Sequence, residues 1–321
     1  MLACPVAKHS VKGRCAVDKR TLDTTAKRDE LRKSLEGTDA ERQVRAARSG
    51  LAALELRVKD HTLGFPPVSR DLLLEVNDLV QRAVERAAEL GNDEALLWLG
   101  DIRFDEGDTE AAAALFEGRA EAGNPLGAAK GAELIRRQER ADRYADALRW
   151  LDAALARDPN GMVHYARGLY AFNGLGCEAD RPAAYRFHER AAELGNADAM
   201  FELYAMTAQG VGCAADAAKA VEYCVRAAEG GNVRAMANLG GMFATGNGLP
   251  RDVGRSVEWY SRAADNGHGR AAASLGCMFA LGQEVKADAE RAKGYFAQAD
   301  ANGFDWRPFA AAVGLDPAEW E

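Results

Sequence analysis

Four glycines recur at an unbroken interval of 36 residues, at Gly195, Gly231, Gly267 and Gly303. Each closes a similar phrase, from Ala-Ala-Glu-Leu-Gly-Asn in the first to Ala-Asp-Ala-Asn-Gly-Phe in the last. A fixed period of this length is typical of repeat proteins in which each unit buries its apolar face against its neighbours. The interval therefore predicts a stacked solenoid, which grows by adding units rather than by enlarging one core.

The same frame continues towards the amino terminus. Steps of 36 residues lead from Gly195 to Pro159 and Gly123, and Gly91 precedes Gly123 by 32 residues. Six units follow, at 92–123, 124–159, 160–195, 196–231, 232–267 and 268–303. Glycines at the ends of units are expected to supply the left-handed conformation that terminates a helix. These structural glycines are Gly91, Gly123, Gly195, Gly231, Gly267 and Gly303.

Each unit is predicted to form two helices. In the fifth unit, apolar residues at helical spacing predict a first helix from Val233 to Ala244, which the glycine-rich turn at 245–250 ends. Asp252 is expected to cap the second helix by accepting hydrogen bonds from exposed amides. The predicted fold class is all-α, a right-handed α/α superhelical solenoid of about six such repeats.

Sequence outside the repeats is also expected to be helical. The predicted organisation is a basic helical extension at 1–64, an incomplete leading repeat at 65–91, the repeats at 92–304 and a cap at 305–321. The segment Gly64-Phe65-Pro66-Pro67 separates the extension from a helix predicted at Leu72 to Leu90. The tail covers the open end that every solenoid presents.

Charge is distributed unevenly along the chain. The net charge is −8, yet residues 1–64 carry 14 basic and 9 acidic residues, a balance of +5. Either both segments are ordinary solvated surfaces, or the basic extension docks on the acidic repeats or on a partner. The acidic balance gives no support for nucleic-acid binding.

The sequence predicts a cytoplasmic protein. No stretch approaches the ~20 apolar residues of a membrane-spanning helix, and the first 15 residues lack the apolar centre of a secretory signal. Met1-Leu2-Ala3-Cys4 resembles the end of a lipoprotein processing site, so a periplasmic lipoprotein is the alternative if the amino terminus has been shortened. The six cysteines are expected to be mostly small buried thiols, and only Cys4 and Cys15 could pair.

Motifs of known catalytic sites do not occur, and no catalytic residue, metal site or cofactor is predicted. The sequence has no Gly-x-Ser-x-Gly, no phosphate-binding loop with Lys-Ser/Thr and no His-Glu-x-x-His. The Gly-x-Gly pairs at 174/176, 210/212 and 246/248 recur once per repeat, which indicates turns. The histidines are scattered, and His9 between Cys4 and Cys15 has no fourth ligand nearby.

The better repeats resemble the Sel-one-like repeat (SLR) family, a relative of the tetratricopeptide repeat. The resemblance covers roughly residues 90–304, is strongest at 160–304, and weakens at 124–159, where a plain tetratricopeptide repeat is closer. The residues that carry it are Leu239-Gly240-Gly241-Met242-Phe243, Gly246-x-Gly248, Asp252, Trp259-Tyr260, Ala263-Ala264, Gly267, Leu275-Gly276-Cys277-Met278-Phe279 and Leu99-Gly100.

One face of each first helix changes freely from unit to unit. It consists of the positions 3, 7, 10 and 14 residues after each terminal position, called the stripe below. The resemblance implies that the stripe faces a concave groove; an ordinary solvated face is the alternative. Trp98 either anchors a partner or packs against the Leu72–Leu90 helix. The candidate partner-binding residues are Glu94, Trp98, Asp101, Asp105, Lys130, Arg137, Asn173, Asp198, Glu202, Gln209, Arg234, Asn238, Arg270 and Ser274.

The sequence favours a bacterial, non-catalytic scaffold that binds a protein or peptide through the stripe. A narrower hypothesis is an immunity protein or chaperone that neutralises a toxin or secreted effector, as some relatives do. The third hypothesis is an enzyme, because some cysteine-rich relatives are linked to β-lactam hydrolysis. Those relatives carry a disulfide-spaced cysteine pair in each unit, and this chain does not.

Overall fold

The computed structural model describes residues 24–59, 70–282 and 285–320. These residues form sixteen α-helices and no strand. The predicted all-α solenoid class is confirmed. The chain divides into two compact units, unit 1 up to Ala154 and unit 2 from Leu155. Cys4, His9, Cys15 and the segment Gly64-Phe65-Pro66-Pro67 lie outside the described residues.

Unit 1 contains seven of the helices. Its first three helices, the last of which was expected at Leu72 to Leu90, bring their apolar faces together in one core. Leu31, Leu51, Val76 and Val80 are fully buried there or nearly so. Two further helix pairs follow in sequence. The bounds are α1 Thr24–Leu35, α2 Ala40–Lys59, α3 Arg70–Glu89, α4 Asp93–Asp105, α5 Thr109–Glu121, α6 Pro125–Arg137 and α7 Tyr144–Ala154.

Unit 2 contains four helix pairs and a short terminal helix. In each pair the first helix packs antiparallel against the second, and the second packs against the first helix of the next pair. The bounds are α8 Met162–Asn173, α9 Arg181–Glu193, α10 Ala197–Gln209, α11 Ala217–Glu229, α12 Val233–Thr245, α13 Val253–Asp265, α14 Gly269–Leu281, α15 Ala289–Ala301 and α16 Arg307–Ala312.

Helix boundaries follow the expected local signals. The Asp252 side chain accepts a hydrogen bond from the Arg255 amide at 3.0 Å, and Asp216 and Asp288 cap α11 and α15 in the same way. All six structural glycines adopt positive φ, between +74° and +97°. Because an L side chain rarely adopts that conformation, glycine at these positions ends each helix at little steric cost.

The boundary after Pro159 differs from the others. The left-handed residue there is Gly161, with φ +76°, and α8 begins one residue later. A Cβ atom on Gly161 would lie 2.5 Å from the Ala191 carbonyl oxygen, so the chain can pass there only without a side chain. Gly161 cannot cap α8, and the buried Asp158 carboxylate instead accepts from the His164 amide at 2.9 Å.

Helices within a pair are held together by matching a small residue to a large one. Gly240 faces the ring of Tyr260, Gly276 faces Phe296, and an added Cβ would lie 2.8 Å and 2.5 Å from those rings. The α10–α11 pair reverses the order, since Tyr204 stands at the position of Gly240 and Cys224 at that of Tyr260. Each of these contacts therefore combines one aromatic ring with a smaller residue, which favours close packing.

Residues after Gly303 close the last helix pair. Trp306 is buried and stacks on Phe296 with ring centroids 4.0 Å apart, and Trp320 meets the same ring edge-on at 6.0 Å. The Trp306 Nε1 donates to Asp300 at 3.1 Å. These contacts remove from water an apolar surface that a following repeat would otherwise cover.

Candidate functional site

A hollow of about 530 Å³ lies over the first helices of the last two pairs in unit 2. We call it the α12–α14 groove. Its residues come from α10, α12, α13, α14, α16 and the turns after α12 and before α14. They are Tyr204, Ala237, Asn238, Gly241, Met242, Thr245, Asn247, Tyr260, His268, Arg270, Ala271, Ser274 and Phe309.

Three of the candidate residues line this groove. Asn238 is exposed on α12, while Arg270 and Ser274 lie one turn apart on α14. Two further stripe positions, Gly241 and Thr245, lie beside Asn238. The stripe positions of two successive repeats therefore meet in one hollow.

Arg234 occupies on α12 the position that Arg270 occupies on α14. Its guanidinium lies 4.4 Å from the centroid of the Phe201 ring, and that of Arg270 lies 5.8 Å from the centroid of the Phe309 ring. Both arginines are exposed. Neither forms an ion pair with any carboxylate in the described ranges.

The inner wall of the groove is aromatic. Tyr260 reaches the groove from α13 because Gly240 leaves space for its ring and Gly241 leaves space for its hydroxyl, which lies 3.3 Å from an added Cβ. Burial raises the pKa of Tyr260, although a side-chain hydrogen bond between Tyr260 and Ser274 and the charge of Arg270 lower it. Tyr204 reaches the groove from α10 because its pair has the reversed order of large and small residues.

His268 stands where the two preceding first helices have a capping asparagine. Its Nδ1 accepts a hydrogen bond from the Ala271 amide at 3.1 Å, which requires that nitrogen to be unprotonated. Burial lowers the pKa of His268, and the positive charges of Arg270 and Arg234 lower it further. The unprotonated Nδ1 thus caps α14 as an asparagine oxygen would.

The groove differs in charge from the rest of the chain. Among the described residues that line it there is no aspartate or glutamate, although the chain carries 49 acidic residues and 41 basic ones. Arg270 is the charged side chain of the lining, and Arg234 adds a second positive charge close enough to affect His268. The charged groups closest to the groove are therefore positive.

Other candidates in unit 2 lie outside the groove lining. Asn173 donates from Nδ2 to the Leu169 carbonyl at 2.8 Å, and Asp198 accepts from Asn232 Nδ2 at 2.8 Å. Glu202 is half-buried and Gln209 is exposed, both on α10. The acidic stripe residues therefore belong to the repeat before the groove.

Most candidates in unit 1 have charged partners within that unit. Lys130 forms an ion pair with Asp101 and also lies 5.4 Å from the centroid of the Phe116 ring. Glu94 pairs with Arg48. Arg137 pairs with Glu133 at 2.7 Å. Asp105 is half-buried at the end of α4.

The expectation that Trp98 is an exposed anchor is wrong. Only 9% of Trp98 is accessible, and its ring belongs to the core that α1, α2 and α3 form, beside Val76, Leu79 and Val80. The helices that precede α4 cover this position of the first stripe. The alternative expectation, packing against the Leu72–Leu90 helix, is correct.

Metal sites and reactive thiols both require particular groupings of side chains. No three His, Cys, Asp or Glu side chains gather as metal ligands anywhere in the described part of the chain. Described cysteines Cys177, Cys213, Cys224 and Cys277 are free thiols, and burial raises the pKa of Cys224 to about 12 and of Cys277 to about 11. None of the helices in the described ranges combines the length and apolarity needed to cross a bilayer.

Comparison with known proteins gives a consistent result. The Sel1 repeat family model matches four consecutive segments, 161–196, 197–232, 233–268 and 269–303. A crystal structure of a Sel1 repeat protein from Oxalobacter formigenes is 28% identical, with a TM-score of 0.54 over 64% of this chain and 84% of that chain.

A second solved structure is more distant. It is c5321, a protective antigen of uropathogenic Escherichia coli strains with an SLR fold, 19% identical over 89% of this chain and 67% of that chain, with a TM-score of 0.47. No curated protein matches the chain.

Proposed function

Because the chain is a Sel1-like repeat protein, we propose that it is a non-catalytic scaffold that holds a partner protein or extended peptide against the first helices of its repeats. Proteins with Sel1 repeats generally mediate protein–protein interaction. The α12–α14 groove is the part of the chain that supports this function most directly.

The observation that carries the proposal is a set of exposed polar side chains, in and beside the groove, that have no hydrogen-bond or ion-pair partner among the described residues. Asn238, Arg234 and Arg270 are exposed stripe residues without a side-chain hydrogen bond or ion pair to any described residue. The equivalent stripe of unit 1 is different, since Asp101 and Lys130 satisfy each other there. Polar groups held on rigid helices beside aromatic rings suit specific recognition, because little ordering cost remains when the partner binds.

The groove is large enough to hold a few side chains of a partner. Its volume of about 530 Å³ lies in the ordinary range of binding pockets. A specific interface buries roughly 800 Å² on each partner, so the partner would extend beyond the groove along the stripe. Tyr204, Tyr260 and Phe309 would form its central contacts, since aromatic residues carry much of the energy of interfaces.

A matched pair of variants tests the proposal. Asn238→Arg places a long side chain in the groove, and Ala297→Arg places one at an exposed position of α15, outside it. The intact chain and both variants are used to capture proteins from cells in which the gene is native, with quantitative mass spectrometry. Proteins retained by the chain and by Ala297→Arg should be lost from Asn238→Arg. If Asn238→Arg retains the same proteins, with helical circular dichroism unchanged in all three, the groove is not the binding surface.

A further inference from the structure

Two arginines of the stripe have no carboxylate partner among the described residues, although the chain carries 49 acidic residues. Several exposed arginines elsewhere are paired, such as Arg190 with Glu193 at 2.7 Å and Arg149 with Asp146 at 3.0 Å. Neither Arg234 nor Arg270 pairs with a described carboxylate. No described aspartate or glutamate lines the groove. An arginine guanidinium offers five donors suited to a carboxylate, and all remain available here.

Both guanidinium groups are held in place by aromatic rings. The Arg234 group lies 4.4 Å from the Phe201 centroid and the Arg270 group 5.8 Å from the Phe309 centroid. Such contacts attract the cation to the ring face and restrict the long side chain. A restricted arginine loses less conformational entropy when it binds an anion.

Two uncharged polar side chains, Asn238 and Ser274, lie near the guanidinium groups of Arg234 and Arg270. The Asn238 amide occupies the next stripe position after Arg234, and Ser274 the next after Arg270. Ser274 Oγ already donates to the Arg270 carbonyl at 3.0 Å, whereas Asn238 has no side-chain partner among the described residues. An amide side chain can both donate to and accept from the backbone of an extended peptide.

We propose that the α12–α14 groove, together with Arg234 beside it, binds an internal acidic segment of the partner protein, with carboxylate side chains on Arg270 and Arg234 and apolar side chains against Tyr204, Met242 and Phe309. This inference rests on the proposed scaffold function and adds the chemistry of the partner. The two arginines begin on different helices and present two separate positive charges. An extended segment with two acidic side chains matches both charges, whereas a single terminal carboxylate matches one.

Selection from a library of random peptides tests the proposal without knowledge of the partner. The peptides are displayed on phage through their carboxyl ends, so that no free terminal carboxylate is present. Parallel selections use the full chain, Arg270→Glu, Arg234→Glu and Arg262→Glu. The last is the control, because Arg262 is exposed on α13, lies 4.6 Å from the Trp259 ring centroid, and is outside the groove.

Peptides selected on the full chain and on Arg262→Glu should be enriched in Asp and Glu, and this enrichment should disappear on Arg270→Glu and Arg234→Glu. A selected peptide is then synthesised with an amidated end, and its affinity is measured by fluorescence anisotropy. Replacing its Glu and Asp with Gln and Asn should weaken binding about tenfold or more, as should Arg270→Glu. Added salt should weaken it as well.

Three outcomes would overturn the inference. If the selected peptides are not acidic but still require the groove, as judged by loss on Asn238→Arg, the scaffold function stands and the acidic partner does not. If a second synthesis of the same peptide with a free carboxyl terminus binds and the amidated peptide does not, the groove recognises a chain end. If no peptide depends on the groove, both the inference and the proposed function fail.

Discussion

Alanine substitutions at two helical glycines of the last repeat should have clearly different effects on stability. Gly276 lies in α14 and Gly294 in α15, both within helices and both without positive φ. At Gly294 no atom lies within 4 Å of an added Cβ. At Gly276 the Cβ would lie 2.5 Å from Phe296 Cε1 and 2.6 Å from Cδ1. The same chemical change therefore meets open space at one position and a ring at the other.

The magnitude follows from two opposing contributions. Replacing glycine with alanine inside a helix favours folding by about 1 kcal/mol at either position. At Gly276 the ring cannot move aside, because Phe296 is 1% exposed and stacks on Trp306 at 4.0 Å. Forcing a methyl group into such a core costs roughly 1–3 kcal/mol. Gly294→Ala should therefore stabilise by about 1 kcal/mol, and Gly276→Ala should be less stable than Gly294→Ala by roughly 1–3 kcal/mol.

Urea unfolding of the two variants measures this difference. Far-UV circular dichroism follows the helices, and tryptophan fluorescence includes a contribution from Trp306 against the Phe296 ring. Because repeat proteins can unfold in parts, hydrogen exchange of the α14, α15 and α16 amides gives the local free energy of opening. If Gly276→Ala proves as stable as Gly294→Ala, the matching of small to large residues does not limit the packing of the pair.

Two further predictions concern buried polar groups in unit 2. Burial lowers the pKa of His188 from 6.5 to about 4, so the unfolded chain gains a proton first as the pH falls. The free energy of unfolding should thus drop by up to about 3 kcal/mol between pH 6.5 and about pH 4. Urea titrations at both pH values should show a smaller drop for His188→Phe than for the unchanged chain. An equal drop in the two proteins would contradict the role of His188. Asn232→Ala should destabilise by about 1 kcal/mol or more, and more than Asn196→Ala in the same assay, because only Asn232 also donates to Asp198, at 2.8 Å. Equal losses would show that the second hydrogen bond contributes nothing.

Local signals in the sequence were enough to place the helices of the repeats. Asp252 and the terminal Gly267 bound α13 as expected, because capping depends on a side chain and amides within a few residues. The 36-residue frame did not predict that the left-handed residue after Pro159 is Gly161. There the left-handed residue is set by the approach of Ala191, which is distant in sequence.

The sequence predicted which helix face forms the candidate site, but not every residue that lines it. Of the predicted stripe residues, Asn238, Arg270 and Ser274 line the groove, and their role in binding stays a prediction. The stripe did not include Tyr204 and Phe309. Tyr204 could have been found by comparing repeats, since glycine stands at its position in the next two. Phe309 belongs to the terminal helix, which the repeat frame does not cover.

By itself, the sequence determined the period, the paired helices and the face of each first helix that varies. Tertiary structure decided which of those faces remain accessible and which charges remain unpaired. Trp98 is covered by helices that precede its repeat, and Asp101 is neutralised by Lys130 one repeat later. Arg234 and Arg270 face aromatic rings instead of carboxylates. The physical reason is that a helix and its caps depend on neighbours along the chain, whereas burial and ion pairing depend on elements brought together by packing.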